Sequence, residues 1–127
     1  MRILIAVYYE PLLSALGAWM NEFTDFSLVG AVSDAESLMD QAEETQPDLV
    51  LLDWELRSPP TADLIAALHA LQSQPKVVVL SLRLEAKETA LAAGADAFMV
   101  KGDPTRRLLT TLQQMKLEIE AERTHAV

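Results

Sequence analysis

Apolar residues occur along the chain in five short runs, each followed directly by a polar or charged residue. The runs cover residues 3–7, 26–32, 49–52, 77–80 and 97–100. Continuous apolar runs of this length are typical of strands buried on both faces. The sequence therefore predicts five strands, of which the third is buried on both faces and the second is weakened by Gly30.

Apolar residues spaced by three and four positions fill the segments between these runs and predict amphipathic helices. The predicted helices begin near Pro11, Ser33, Thr61, Glu85 and Asp103. For the second helix, Ser33 and Glu36 have the spacing of a capping box, with Ser33 as the cap. Strand and helix alternate five times, which requires parallel strands and right-handed crossovers. We predict a three-layer α/β/α sandwich around a five-stranded parallel sheet.

The length of 127 residues is that of one domain. We assign residues 1–118 to this domain. The charged and polar segment 119–127 is predicted to prolong the last helix or to begin a linker.

Charge and composition restrict the class of function. The chain has 19 acidic and 10 basic residues and a formal net charge of −9, which disfavours direct binding to nucleic acid or to an anionic membrane. It contains no cysteine, so thiolate metal sites and disulfides are excluded. No segment reaches about 18 uninterrupted apolar residues, the length that a membrane span needs. We expect a cytoplasmic protein that acts through a protein partner.

Polar side chains follow the third, fourth and fifth predicted strands. They are Asp53, Ser81 and Lys101. Because parallel strands place their carboxyl ends at one edge of the sheet, we expect these three side chains to converge there. A carboxylate can act as a nucleophile toward a phosphoryl group. A hydroxyl and an ammonium can bind phosphoryl oxygens.

These residues, together with the segment 93–101 (Ala-Gly-Ala-Asp-Ala-Phe-Met-Val-Lys), make the chain resemble a response-regulator receiver domain of the CheY-like type over residues 1 to about 116. The resemblance implies a flavodoxin-like (βα)5 fold with strand order 2-1-3-4-5. It also implies that Asp53 is the phosphoacceptor position. Ser81 would be the switch hydroxyl and Lys101 the base that contacts phosphate.

The resemblance fails at the acidic pair that receivers carry just after their first strand. Tyr8 and Tyr9 stand at these positions, followed by Glu10. Mg²⁺ prefers carboxylate and carbonyl oxygens in tight octahedral geometry, and a tyrosine is neutral near pH 7. The remaining ligands would be Asp53 and the backbone carbonyl of Glu55, and Glu10 would serve only after a rearrangement of its loop. We expect no cofactor, or at most weak Mg²⁺ binding, and slow or absent phosphorylation.

These residues also have simpler interpretations. Asp53 could be an acid of a strand-end turn, Lys101 a surface lysine and Ser81 a loop cap. Tyr8 and Tyr9 could be packed aromatics with solvated hydroxyls.

The residue after the acid, Trp54, has three interpretations. It could shield the acid, belong to the core or form an exposed contact.

Two signalling functions and one enzymatic function compete. The first is an atypical receiver in a two-component phosphorelay, working as an interaction module with impaired Mg²⁺-dependent phosphorylation at Asp53. The second is an ordinary receiver that a histidine kinase phosphorylates on Asp53 to control an output partner. Asp53 and Glu55 imitate an Asp-nucleophile phosphatase, but on the third strand, and no other catalytic motif is present. We predict the first function and no enzymatic activity. The expected partner is a histidine kinase, a regulator, an output domain or a second copy of the chain.

Overall fold

Five parallel strands form one sheet in the order β2-β1-β3-β4-β5. The computed structural model describes residues 1–56 and 61–125, and of residue 125 it describes the backbone only. The strands are β1 (Arg2–Ala6), β2 (Ser27–Val32), β3 (Leu49–Asp53), β4 (Lys76–Ser81) and β5 (Ala97–Val100). The helices are α1 (Glu10–Met20), α2 (Ala35–Thr45), α3 (Thr61–His69), α4 (Lys87–Ala92), which follows a 3-10 turn at Leu84–Ala86, and α5 (Thr105–His125). The predicted sandwich and strand order are confirmed.

Alternate residues of each central strand enter opposite layers of the core. On β1, Ile3 and Ile5 pack with α1 and α5, whereas Leu4 and Ala6 pack with α2, α3 and α4. This follows from the two-residue period of a strand. The four apolar residues of β3 are all inaccessible to solvent, and each contributes roughly 1.5–3 kcal/mol relative to exposure. The central strand is therefore a rigid base for the residues that follow it.

One predicted helix cap is wrong. Asp34, not Ser33, caps α2, and its carboxylate accepts a hydrogen bond from the Ser37 backbone N–H at 2.7 Å. The helix starts one residue later than the predicted capping box requires, because the backbone of Asp34 is still extended, with φ −144° and ψ 162°. The same carboxylate also accepts from the Ser37 hydroxyl. These hydrogen bonds lower the pKa of Asp34.

Helix α5 crosses residue 118, where we placed the domain boundary, without a break. Ile119 is buried in the core. Farther along, Glu122 accepts from Lys76 at 2.7 Å, and Arg123 pairs with Asp48. The boundary at 118 stays a prediction, and residues 126–127 lie outside the described part of the chain. Among the helices of that part, none has the length and apolarity needed to cross a bilayer.

Candidate functional site

Asp53 ends β3 and is completely buried, yet both of its carboxylate oxygens are hydrogen-bonded. Its Oδ1 lies 2.7 Å from Lys101 Nζ and accepts the Glu55 backbone N–H at 2.8 Å. Its Oδ2 accepts the Tyr8 backbone N–H at 2.9 Å. A buried carboxylate is tolerated when it is paired and hydrogen-bonded in this way. The bond from the Glu55 N–H is that of a strand-end turn, and the Lys101 contact is made in addition to it.

The strand register brings Ser81 and Lys101 to the same edge. Asp53 pairs with Leu80, and the Ser81 carbonyl accepts the Lys101 backbone N–H at 2.8 Å. The Lys101 side chain is only 9% exposed, so it is not a surface lysine. The Ser81 side chain is fully buried. The predicted convergence of the three side chains is present, although Ser81 is joined to the pair through a fourth residue.

That fourth residue is Glu55, whose side chain was missed in the sequence. Its Oε1 accepts the Leu82 backbone N–H at 2.6 Å and lies 3.5 Å from Lys101 Nζ. Its Oε2 accepts the Ser81 hydroxyl at 2.8 Å. The sequence predicted only its backbone carbonyl as a metal ligand and its carboxylate as a weak imitation of a phosphatase acid. The available signal was its spacing of two from Asp53, which keeps a second acid close to the end of β3.

Tyrosines form the rim on the β1 side of the site. The side chains of Tyr8 and Tyr9 are 47% and 63% exposed, so neither is a packed core aromatic. Tyr8 contributes its backbone N–H to Asp53. Glu10 is exposed at the start of α1.

Trp54 belongs to the core. It is partly buried and packs in the layer of α2 and α3. Its carbonyl accepts the Thr61 hydroxyl at 3.0 Å, which joins the first turn of α3 to the strand end. Of the three interpretations of Trp54, the structure supports the core residue.

The family model for the response regulator receiver domain matches residues 8–113. The chain belongs to this family. Receivers are signalling domains of two-component pathways and are generally not enzymes, so the coarser predictions of family and function are confirmed. The finer prediction, that phosphorylation of Asp53 is impaired, is a separate question.

Curated relatives and solved structures agree with the family. The chain is 27% identical over 115 residues to the transcriptional regulatory protein DesR of Bacillus subtilis, covering 89% of this chain and 57% of DesR. It is 30% identical over 92 residues to the nitrate/nitrite response regulator protein NarL of Escherichia coli K12, covering 71% and 43%. The chain thus spans about half the length of these relatives. A CheY-like receiver from Methanospirillum hungatei superposes with a TM-score of 0.83 at 26% identity, covering 95% of this chain and 97% of that one.

The fold family implies a divalent cation beside the acid, but the residues around Asp53 do not fit one. Within the described ranges, no group of three or more His, Cys, Asp or Glu side chains is placed to hold a metal. The two carboxylates at the site, those of Asp53 and Glu55, share the Lys101 ammonium. A Mg²⁺ ion would need the carboxylate oxygens that already contact the Lys101 ammonium, and the two positive charges would repel each other. Mg²⁺ also tolerates little departure from its octahedral geometry.

Proposed function

We propose that this receiver is atypical: it acts as an interaction module in two-component signalling, and Mg²⁺-dependent phosphorylation of Asp53 is impaired. The observation that carries the proposal is the position of Lys101 Nζ, 2.7 Å from Asp53 Oδ1, with tyrosines instead of acids after β1. Phosphoryl transfer depends on positioning and on neutralising the charge of the transferred group. Here the acid already has its counterion, and carboxylates that would bring a metal to the incoming group are replaced by neutral side chains.

The partner is proposed to be a protein. DesR is named as a transcriptional regulatory protein and NarL as a nitrate/nitrite response regulator, and each is about twice the matched length. By analogy, the chain would pass its signal to an output domain or regulator, or receive it from a kinase. Its net charge of −9 disfavours direct contact with nucleic acid. We also propose a cytoplasmic location, as expected for such a pathway.

Intact mass spectrometry with acetyl phosphate and Mg²⁺ tests the impaired phosphorylation. We expect little or no phosphate adduct on the wild-type chain, and the same result after EDTA is added. The Asp53→Asn variant defines the background. A prompt stoichiometric adduct that disappears in Asp53→Asn would show an ordinary receiver and overturn the proposal.

Restoring the acids tests whether the tyrosines are the cause. The double variant Tyr8→Asp, Tyr9→Asp supplies two carboxylates next to Asp53. In ¹H–¹⁵N NMR spectra, we expect Mg²⁺ to move the amide signals of residues 8–10 and 53–55 in this variant and to leave those of the wild type in place. If Mg²⁺ moves the wild-type signals as strongly, the tyrosines do not prevent metal binding.

A further inference from the structure

We infer that the Glu55 carboxylate occupies an oxyanion site of this chain, in the place that a tetrahedral anion on or beside Asp53 would take. The inference deepens the proposed function and rests on it. Two hydrogen-bond donors at the end of β4, the Leu82 backbone N–H and the Ser81 hydroxyl, meet the one carboxylate, and the Lys101 ammonium after β5 lies 3.5 Å from it. Glu55 is thus an internal ligand of the site.

The side chains of Ser81 and Lys101 are enclosed, whereas Leu82 is 70% exposed and Glu55 enters the site from the rim. Ser81 is fully buried and the Lys101 side chain is 9% exposed, whereas the Glu55 side chain is 28% exposed. A buried donor left without an acceptor costs about 1–3 kcal/mol. Without Glu55, these groups would need water or another anion.

The direction of the Ser81 hydroxyl also fits an anion. Its oxygen accepts the Arg83 backbone N–H at 3.1 Å, so its hydrogen is free to point at Glu55 Oε2, 2.8 Å away. The site therefore presents three hydrogens or positive charges to one region of space. Such a set selects an anionic acceptor and excludes a cation.

Glu55 fills this site incompletely, which identifies the class of ligand that could replace it. Its Oε1 is 3.5 Å from Lys101 Nζ, longer than a hydrogen bond. A phosphate group offers a third oxygen and roughly 1.5–2 negative charges instead of one. The competing ligand would be a tetrahedral oxyanion such as phosphate. An attached carboxylate competes at an effective concentration of about millimolar or higher, so free phosphate should displace it poorly.

The internal ligand has a structural consequence for the segment after β4. The Leu82 N–H and the Ser81 hydroxyl are tied to an anion although Asp53 carries no added group. The start of the 82–86 segment is therefore fixed by the chain itself. Interaction surfaces near this segment would be presented without phosphorylation.

Titration with inorganic phosphate, followed by ¹H–¹⁵N NMR, tests the inference. We would compare Asp53→Asn with Asp53→Asn, Glu55→Ala, since the Asn removes a neighbouring negative charge and excludes covalent phosphorylation. The Glu55→Ala chain is expected to bind phosphate roughly tenfold more tightly or better, because the attached competitor is gone. The shifts should centre on Leu82, Ser81 and Lys101. The control is Glu44→Ala, which removes the same charge from an exposed position of α2.

The inference fails if Glu55→Ala shows no phosphate shifts at these residues or binds phosphate no more tightly than its parent. A second variant, Glu55→Gln, keeps the size of the side chain and removes the charge. In this variant and in the absence of phosphate, the NMR signal of the Leu82 amide proton should shift upfield. A signal that does not shift would also contradict the inference. These outcomes are separate from those of the proposed function: a wild-type adduct at Asp53 overturns that function, whereas a silent titration overturns only the internal ligand.

Discussion

Replacing Lys101 by Met is the sharpest test of the charge arrangement at the site. Met keeps most of the apolar stem and removes the ammonium, which lies 2.7 Å from a completely buried Asp53. The variant leaves a buried carboxylate without its counterion. The general physics of buried ion pairs predicts a large loss of stability, because one partner remains charged in a place that water does not reach.

The expected loss is about 3 kcal/mol. Removing one partner of a buried ion pair costs roughly 3–5 kcal/mol, and we take the lower end because two backbone N–H groups still donate to Asp53. Glu55 adds little, since it is partly exposed and its separation from Lys101 is 3.5 Å. With a urea m-value of about 2 kcal/mol/M, the unfolding midpoint should fall by roughly 1.5 M.

Urea unfolding of four chains measures this loss: wild type, Lys101→Met, Asp53→Asn and the double variant. Asp53→Asn in the Lys101→Met background removes the unpaired charge, so the double variant should be more stable than the sum of the single losses by about 2 kcal/mol. Lys87→Met, at an exposed position of α4, is the control and should stay within about 0.5 kcal/mol. A loss below about 1 kcal/mol for Lys101→Met, or strictly additive losses, would refute the reasoning.

Two other predictions concern the frame of the site. A Cβ on Gly30 would lie 2.8 Å from the Leu4 side chain, so Gly30→Ala should cost roughly 1–3 kcal/mol in urea unfolding. Gly102→Ala meets nothing within 4 Å and should be neutral or stabilising by about 0.4–1 kcal/mol; equal effects would contradict the packing argument. Burial raises the pKa of Asp48, but the Arg2 N–H and the Arg123 guanidinium outweigh burial and hold the pKa below its usual value of 3.8. This stabilisation is present above pH 3.8 and is lost as the pH falls through the lower, folded-state pKa. Asp48→Asn should therefore destabilise the fold at pH 7 by about 1 kcal/mol and much less in strong acid, and a pH-independent loss would contradict it.

The fold was predictable because its three central strands, β1, β3 and β4, are buried on both faces, whereas the edge strand β2 has no fully buried residue. Five apolar runs separated by helical periodicity leave one arrangement, a parallel sheet between two helical layers. The strand order came from the family resemblance, since periodicity does not encode which strands are neighbours. The α2 cap was mispredicted for a local reason. Ser33 and Asp34 are both good caps, and the extended backbone of Asp34 decides between them.

The site was predictable for the residues that terminate strands and not for those in the loops. Asp53, Ser81 and Lys101 each follow an apolar run, so their shared edge follows from parallel pairing. Glu55 lies beyond β3, where the side-chain direction depends on the turn. The sequence indicated an acid near the site but not that the acid reaches the Ser81 hydroxyl.

The position of Glu55 changes how the missing acids should be interpreted. Losing the acidic pair alone would leave the Ser81 hydroxyl and the Leu82 N–H without an anionic acceptor. In this chain, the donors are satisfied by an acid two residues after Asp53. Because a buried donor without an acceptor costs about 1–3 kcal/mol, the arrangement is stable without a metal or a phosphoryl group. Under the proposed function, a receiver built in this way would gain little from being phosphorylated, since the contacts that a phosphoryl group would form already exist in part. Its signal would then come from which partner binds the fixed conformation and not from a change in the chemistry of Asp53.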